Sequence, residues 1–564
     1  MSGLDAQFDV GASNPVDLAQ QSVRLELDPS DQELTAKVVH TSVINGVNHA
    51  TILGNRLGLG APLASLVFVV VFVLRYVHLQ QSWDIFTDEI TYSSIAESVA
   101  QHHTVDFFGV PFLLHPPLVF LEQALFIDAF HVSGSIFAVV FALRTVNVLF
   151  AAGSAVFMLR IGTRLGGTAA GLVAASLFAI DPFLIRFDSR VFLEPSALFW
   201  VLAGYAALFN ALERKGRSRL AYAIIAGLAM GLGVLSNEMA IPLIVIPLGV
   251  CLVFGFPYPR RAILATVVSF GLLLAAFLLA VAAAGQFHNL ISQQANGLLR
   301  LVGARQETGF NKSGAPSFIS RVLVHLGGFG AVYAVLGLAS VPTLYFLIRG
   351  TRSLRLLSLM QLSAYTVISY QILFGTLEEQ MFYYVDLPAV LIISLGFVRL
   401  MQTRPRSGRV WAMSVVSMLV VATLVTVDAI TWIEIHTKPD TALVSAITWL
   451  DSNVGSGTRV APLIDTSQLL VNNYQVFLTE TPKQIRKDQP AYVITSSLQA
   501  TQGYGFATPS LLRWLRANAY PVFVRKGRTY GTVIVWWLYP GSPNNPPGAP
   551  QVNAKLPRYP VGEG

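Results

Sequence analysis

Residues 83–118 read WDIFTDEITYSSIAESVAQHHTVDFFGVPFLLHPPL, and they follow an apolar run that begins near Leu59. The run is long enough to enter a bilayer. The stretch after it is too polar to cross one. It carries adjacent carboxylates, Asp88 and Glu89, and a rigid His115-Pro116-Pro117 break. Only 12% of the chain is charged, so this concentration of acid, base and turn calls for a reason.

Outward from that stretch the chain is overwhelmingly apolar. Of its 564 residues 53% are hydrophobic, and mean hydropathy is +0.57. Soluble domains carry about twice the charge. Apolar runs fall near residues 60–79, 134–158, 167–185, 195–212, 220–236, 240–257, 262–285, 322–347, 355–374, 381–399 and 410–432. This pattern predicts a polytopic α-helical membrane protein with about 11 spans of ~20 residues each. The basic pI of about 9.4 then speaks to orientation in a membrane and gives no reason to expect a nucleic-acid partner. Cys251 stands alone inside an apolar run, which leaves no disulfide framework and no thiolate metal site.

Charge sets the expected topology. Alternate loops carry Arg160 and Arg164; Arg214, Lys215, Arg217 and Arg219; Arg260 and Arg261; Arg349, Arg352 and Arg355; and Arg404, Arg406 and Arg409. Basic loops stay cytoplasmic, so the N-terminus is expected inside and the C-terminus outside. Residues 1–55 are polar and mildly acidic, with no cleavable signal, and are expected to be a largely disordered cytoplasmic tail. The transmembrane domain is expected over 56–432. Beyond it, SAITWLDSNV and LLRWLRANA read as helices, and TRVAPLI, AYVITSS, YPVFVRK and GTVIVWWLY as strands. They predict a small extracytoplasmic α/β domain over 433–540, followed by a disordered tail over 541–564.

On the expected outer side the polar residues gather. Asp88 and Glu89 are neighbours on a helix, so they point in different directions and are expected to have different jobs. A carboxylate there can be a general base or hold a divalent cation; acids at a helix start are also favoured by the dipole alone. Ser93–Gln101 and LVFLEQALFIDAF (118–130) are amphipathic and suit an interfacial position. A His beside prolines serves structure as readily as chemistry. Arg144 lies within a span, where a charge is a functional hypothesis by default; a guanidinium suits a phosphate, and the alternative is a buried pair with a carboxylate. RFDSRVFLEPS packs Arg186, Asp188, Arg190 and Glu194 into one short turn, which as a mutually paired cluster would contribute little. The loop 286–321 holds His288, Arg300, Arg305, Glu307, Lys312 and Arg321, with an interfacial helix expected at NGLLRLVG and a glycosylation sequon at Asn311. GTLEEQMFYYVDLP brings Glu378, Glu379, Gln380, Tyr383 and Tyr384 to the mouth of a late span, where the tyrosines also fit an aromatic belt.

These residues resemble the C-type superfamily of integral-membrane glycosyltransferases, nearest to the protein O-mannosyltransferase and aminoarabinose transferase branch. The resemblance rests on Asp88-Glu89 after the first span, His115-Pro116-Pro117-Leu118, Arg144, Ser189 to Glu194, and LEEQMFYYVDLPAVL, and covers roughly residues 60 to 400. It implies a sugar donor carried on a polyprenyl phosphate and a protein, glycolipid or polysaccharide acceptor. The enzyme would be a hexosyl- or pentosyltransferase of the plasma membrane working on its extracytoplasmic face. Asp88 would be the base of an inverting displacement, with Glu89 positioning acceptor or sugar. Arg144, with Arg190 or Arg321, would hold the lipid phosphate. His115 and Glu194 would shape the pocket, and Asp188, Glu378, Gln380 and Tyr383 would complete the substrate site. Two departures stand out. The turn offers two acids, Asp188 and Glu194, where the family has one, and the Asp-x-Asp of metal-dependent oligosaccharyltransferases is missing, which leaves a divalent cation open. A polytopic transporter or lipid-linked-sugar flippase is the rival class. It calls for polar groups near the bilayer midplane and for related halves, whereas here the polar residues cluster at one rim.

Overall fold

The computed structural model describes residues 60–255, 259–304, 331–374, 379–403, 408–502 and 506–538. The expected tails at 1–55 and 541–564, the sequon, and Arg305, Glu307, Lys312, Arg321 and Glu378 lie outside them. Ala61 onward forms one compact unit.

The chain begins with α1 (Gly60–Tyr76), a loop over 77–86, and α2 (Thr87–His102). Glu89, three residues into α2, accepts the Phe86 backbone N–H at 3.1 Å, which fixes where the helix starts. A two-residue ladder of β1 (Asp106–Phe107) and β2 (Val110–Pro111) follows, then α3 (Leu118–Phe130), which starts directly after the two prolines. Next come α4 (Ile136–Gly166), α5 (Thr168–Ile180), α6 (Pro182–Asp188), α7 (Glu194–Glu213) and α8 (Gly216–Ser236). A 3-10 turn (Glu238–Ala240) leads to α9 (Ile241–Phe254), α10 (Arg260–Ala283) and α11 (Phe287–Leu301). The helical region closes with α12 (Val332–Arg349), α13 (Arg352–Leu373), α14 (Met381–Gln402) and α15 (Gly408–Thr437).

All eleven apolar runs fall on helices in their described parts. Among the described residues eight helices are long and apolar enough to cross a membrane: α4, α7, α8, α10, α12, α13, α14 and the helix beginning within α15. The pair α5 and α6 adds a ninth if taken together across its 67° bend, while α1 and Glu238–Phe254 are shorter apolar helices. The bend has a local cause. Asp181 caps α6 by accepting the N–H groups of Phe183 (2.8 Å) and Leu184 (3.0 Å), and Pro182 cannot continue the hydrogen bonding of α5. Helix α14 is the axis of the bundle, buried without a break from Met381 to Leu395. Tight helix contact is bought with glycine at α4 and α5, where a Cβ on Gly162 would sit 2.7 Å from the Cα of Gly171.

After α15 come α16 (Ala442–Asn453), β3 (Arg459–Pro462), α17 (Asp465–Gln468), β4 (Gln475–Val476), α18 (Pro482–Asp488), β5 (Tyr492–Ser496), α19 (Ser497–Gln502), α20 (Pro509–Asn518), β6 (Ala519–Gly527) and β7 (Gly531–Leu538). The strands form one mixed sheet in the order β4-β3-β5-β7-β6, parallel across β4, β3 and β5 and antiparallel beyond. Alternation assigns its two faces. Val460, Tyr492, Ile494, Val533 and Val535 pack against Leu443, Ile447 and Leu450 of α16. Ala461, Val493, Ile534 and Trp536 pack against Ile485, Leu511 and Leu515 of α18 and α20. Edge strand β6 contains Pro521, where its register against β7 slips.

Candidate functional site

The two adjacent carboxylates part company. Glu89 turns inward and meets Arg144 of α4, both wholly buried. Arg144 Nε donates to Oε1 at 2.8 Å and Nη2 to Oε2 at 2.9 Å. Its remaining N–H groups reach the carbonyls of Leu79 (3.1 Å), Trp83 (2.9 Å) and Asp84 (3.5 Å). Glu89 also accepts the Val191 N–H at 3.0 Å. All five guanidinium hydrogens are engaged, so Arg144 has none left for a phosphate. The arrangement is the buried carboxylate pair set out above as the alternative for Arg144, and it ties α2, α4, the 77–86 loop and the turn before α7 to one point.

Asp88 faces a different group. His115 Nδ1 lies 2.9 Å from Glu238 Oε1 and 3.2 Å from Oε2. Burial pushes the His115 pKa down, but the charges of Glu238, Asp88 and Glu194 outweigh it and hold the imidazole above its ordinary value. Glu194 opens α7 and accepts the Asn237 side-chain amide at 3.3 Å through Oε1; its buried Oε2 has no hydrogen-bond partner among the described residues. Three carboxylates and one imidazole therefore converge where α2, the loop before α3, the start of α7 and the 3-10 turn meet. Beside them Tyr384, Met239, Leu243, Leu301, Ile368 and Met381 line an apolar crevice of about 60 Å³. Glu238 was not singled out in the sequence; a lone acid in a two-span turn was the signal available. Among the described residues no three His, Cys, Asp or Glu side chains are spaced as the ligands of a metal ion.

The second turn acid, Asp188, is occupied elsewhere. Arg75 Nε donates to Oδ2 at 2.7 Å and the Tyr383 hydroxyl to Oδ1 at 2.6 Å. Arg75 also donates to the carbonyls of Ala179 and Phe178, both at 2.8 Å, which closes the bend between α5 and α6. Asp188 and Tyr383 are thus brought together, but around Arg75, a buried arginine of α1 that lies inside the first apolar run. Gln380 stands at the N-cap of α14.

Arg190 belongs to a third group. The guanidinium carbons of Arg186, Arg190 and Arg528 lie 5.6, 5.2 and 5.0 Å from the centre of the Trp83 ring. Arg186 is paired with Glu379 at 2.8 Å. Arg190 donates to the Asp84 carbonyl (3.2 Å) and Thr529 Oγ1 (2.6 Å), while its Nε has no acceptor among the described residues. Burial, helped by the like charges of Arg186 and Arg144, pulls the Arg190 pKa down to about 10. Neither Trp83 nor Arg528 was expected here; Arg528 comes from the turn between β6 and β7.

That turn is part of a wider grip on the 77–86 loop. Arg528 donates to the Ser82 carbonyl (2.8 Å), Tyr530 to the Ile85 carbonyl (2.7 Å), and the Asp440 N–H to the Gln81 carbonyl (2.7 Å). Asp84 accepts the N–H groups of Leu443 and Val444 at the start of α16. Burial, and then the charge of Asp440, push the Asp84 pKa up to about 7 against the opposing pull of those N–H groups. The folded protein therefore keeps a proton that the unfolded chain releases near the ordinary aspartate value of 3.8. Stability is expected to fall as pH rises through that window and to level off above about 7. Thermal melts between pH 5 and 8 check this: Asp84→Asn should flatten the slope, and an unchanged slope in the variant assigns it to another group.

No protein-family model matches the chain, and no curated protein matches it in sequence. Solved structures do match. The chain is similar to ArnT from Cupriavidus metallidurans, whose structure is bound to undecaprenyl phosphate, at 14% identity and a TM-score of 0.54, covering 86% of this chain and 98% of that one. It is also similar to the oligosaccharyltransferase AglB from Archaeoglobus fulgidus, in complex with an inhibitory peptide and a dolichol-phosphate. There the identity is 13% and the TM-score 0.51, over 84% of this chain and 74% of that one. At these identities the likeness establishes the fold alone, which this chain shares with both proteins.

Proposed function

We propose that this chain, a multi-pass membrane protein with the C-type glycosyltransferase fold, moves a sugar from a polyprenyl-phosphate donor to an acceptor hydroxyl. The observation that carries the reading is the convergence of Asp88, Glu194, Glu238 and His115 at one rim of the bundle, beside an apolar crevice. A lipid-linked donor needs an apolar path for its tail and polar groups at headgroup depth. The neighbours' bound undecaprenyl phosphate and dolichol-phosphate support the same donor class here.

In this reading Asp88 accepts the proton of the acceptor hydroxyl as its oxygen attacks the anomeric carbon. The bond from that carbon to the phosphate oxygen breaks on the opposite face, and configuration inverts. The phosphate gains a negative charge as it leaves. Since Arg144 is spent on Glu89, that charge falls to the His115 imidazolium and the Trp83 arginines, Arg190 first among them. Glu89 then acts through Arg144 as a positioning residue, and Asp188 and Tyr383 act through Arg75. The basic loops support an N-inside orientation with the site on the extracytoplasmic face of the plasma membrane. The divisions at 56–432 and 433–540 belong to the same proposal, with the C-terminal sheet holding the loop that leads into the helix carrying Asp88.

The test is reconstitution of the purified full chain with polyprenyl-phosphate sugars, hexosyl and pentosyl, and with protein, glycolipid and polysaccharide acceptors. Mass spectrometry should find a glycosylated product and free polyprenyl phosphate in equal amounts. Substrate-dependent uptake into proteoliposomes with no covalent product would overturn the reading in favour of a transporter or flippase.

A further inference from the structure

At the end of the bundle away from Asp88, helices α4, α7 and α8 part around a groove of about 480 Å³. That is within the range of roughly 300–1,000 Å³ typical of small-ligand sites. Small side chains open it: Ala206, Ala207 and Ala229 form its floor. Phe157 and Trp200 wall it, and the Trp200 indole is fixed by donating to Glu122 Oε1 at 2.9 Å. The three helices are all apolar enough to cross a membrane, so lipid chains are the solvent this groove meets.

Its rim is cationic. Arg164 is held by Glu213 at 2.7 Å and by Asn210. Arg160, on the same wall, is exposed and has no ion pair among the described residues. Arg214 stacks over the ring of Tyr222, a lining residue, at 4.7 Å. Lys215, Arg217 and Arg219 follow directly in the chain, with Glu213 the one carboxylate among them. A soluble anion has no use for the apolar floor, and a neutral lipid has none for the cations. The combination suits an amphiphile with an acidic head. Sixteen residues of α4 separate Arg160 from Arg144, or roughly 24 Å at 1.5 Å per residue, too far for a head held at Arg160 to take part in chemistry at Asp88.

We propose that this groove binds an anionic phospholipid, with one acyl chain over Ala206 and Ala207 and its phosphate on Arg160. The site is independent of the transferase reading. The full chain would be placed in nanodiscs containing equal phosphatidylglycerol and phosphatidylcholine, then released into detergent and examined by native mass spectrometry. The wild type should retain phosphatidylglycerol over phosphatidylcholine by about tenfold, because both heads carry a phosphate but the choline ammonium cancels its charge and is repelled by the basic rim; one or two cations acting on the net negative charge supply a factor of that size. Arg160→Gln should erase the preference and Ala206→Phe the retention itself. Equal retention of both lipids by the wild type, or an undiminished preference in Arg160→Gln, overturns the proposal. So does displacement of phosphatidylglycerol by equimolar undecaprenyl phosphate, which would assign the groove to the prenyl lipid. Should Ala206→Phe fail to fold, the exposed Arg160→Gln variant decides alone.

Discussion

Arg144→Ala is expected to cost about 3–5 kcal/mol of stability, the usual penalty for stranding one member of a buried ion pair. The pair is wholly buried, and both Glu89 oxygens are filled. Removing the guanidinium leaves a carboxylate in a site that water does not reach and frees the carbonyls of Leu79, Trp83 and Asp84. Glu89→Gln should also destabilise, because one carboxylate oxygen that accepts two N–H groups becomes an NH2 facing those donors and the buried guanidinium loses its counter-charge. The double variant Glu89→Gln with Arg144→Met should recover part of the loss, and a double-mutant cycle on melting in detergent would measure the coupling. If Arg144→Ala instead melts like the wild type and weakens donor binding alone, the guanidinium is a phosphate ligand and the structural role assigned to it is wrong.

The second large effect is on rate. Asp88→Asn should lower transfer by about 10²–10⁴-fold, the usual range for a lost general base, with expression and melting unchanged. Asparagine keeps the shape of the side chain but takes no proton. It also removes one of the negative charges around His115, so the imidazolium should lose its proton at lower pH in the variant. Titration of His115 by NMR thus gives a readout separate from activity. Retention of transfer within threefold would move the base elsewhere, with Glu194→Gln the next variant to make.

Legibility in the sequence follows the range of each interaction. The apolar runs are local signals, and each falls on a helix. The divergence of Asp88 and Glu89 was also local, because neighbours on a helix point about 100° apart. Partners were not local. Nothing near Arg144 in the chain announces a carboxylate 55 residues before it, and the basic side chain in LRTVNV suits a phosphate equally well. Arg75 reads as one residue inside the first apolar run, yet it closes a bend formed 104 residues later. Arg528 reads as one more cation on a small sheet until the fold lays its guanidinium over Trp83. Glu238 has a single polar neighbour in its turn, and only the bundle brings His115 to it. In a membrane protein this loss is systematic: polar side chains are few, so each is read on its own, while its meaning lies in whichever distant helix packs beside it.

The grip of the C-terminal sheet on the 77–86 loop has a consequence for how the protein is made. Asp84 waits for Leu443, 359 residues later in the chain. At synthesis rates of about 5–20 residues per second, that interval is on the order of 20–70 s. Throughout it the loop beside Asp88 can be inserted at the membrane and meet Arg144 and Arg190, but it lacks the contacts from Asp440, Leu443, Arg528 and Tyr530. A half-made chain would therefore meet donor lipid without being competent to react, and competence would arrive only once translation is nearly finished. Ribosome-stalled chains ending before residue 440 should leave the loop open to protease, and chains released at full length should protect it.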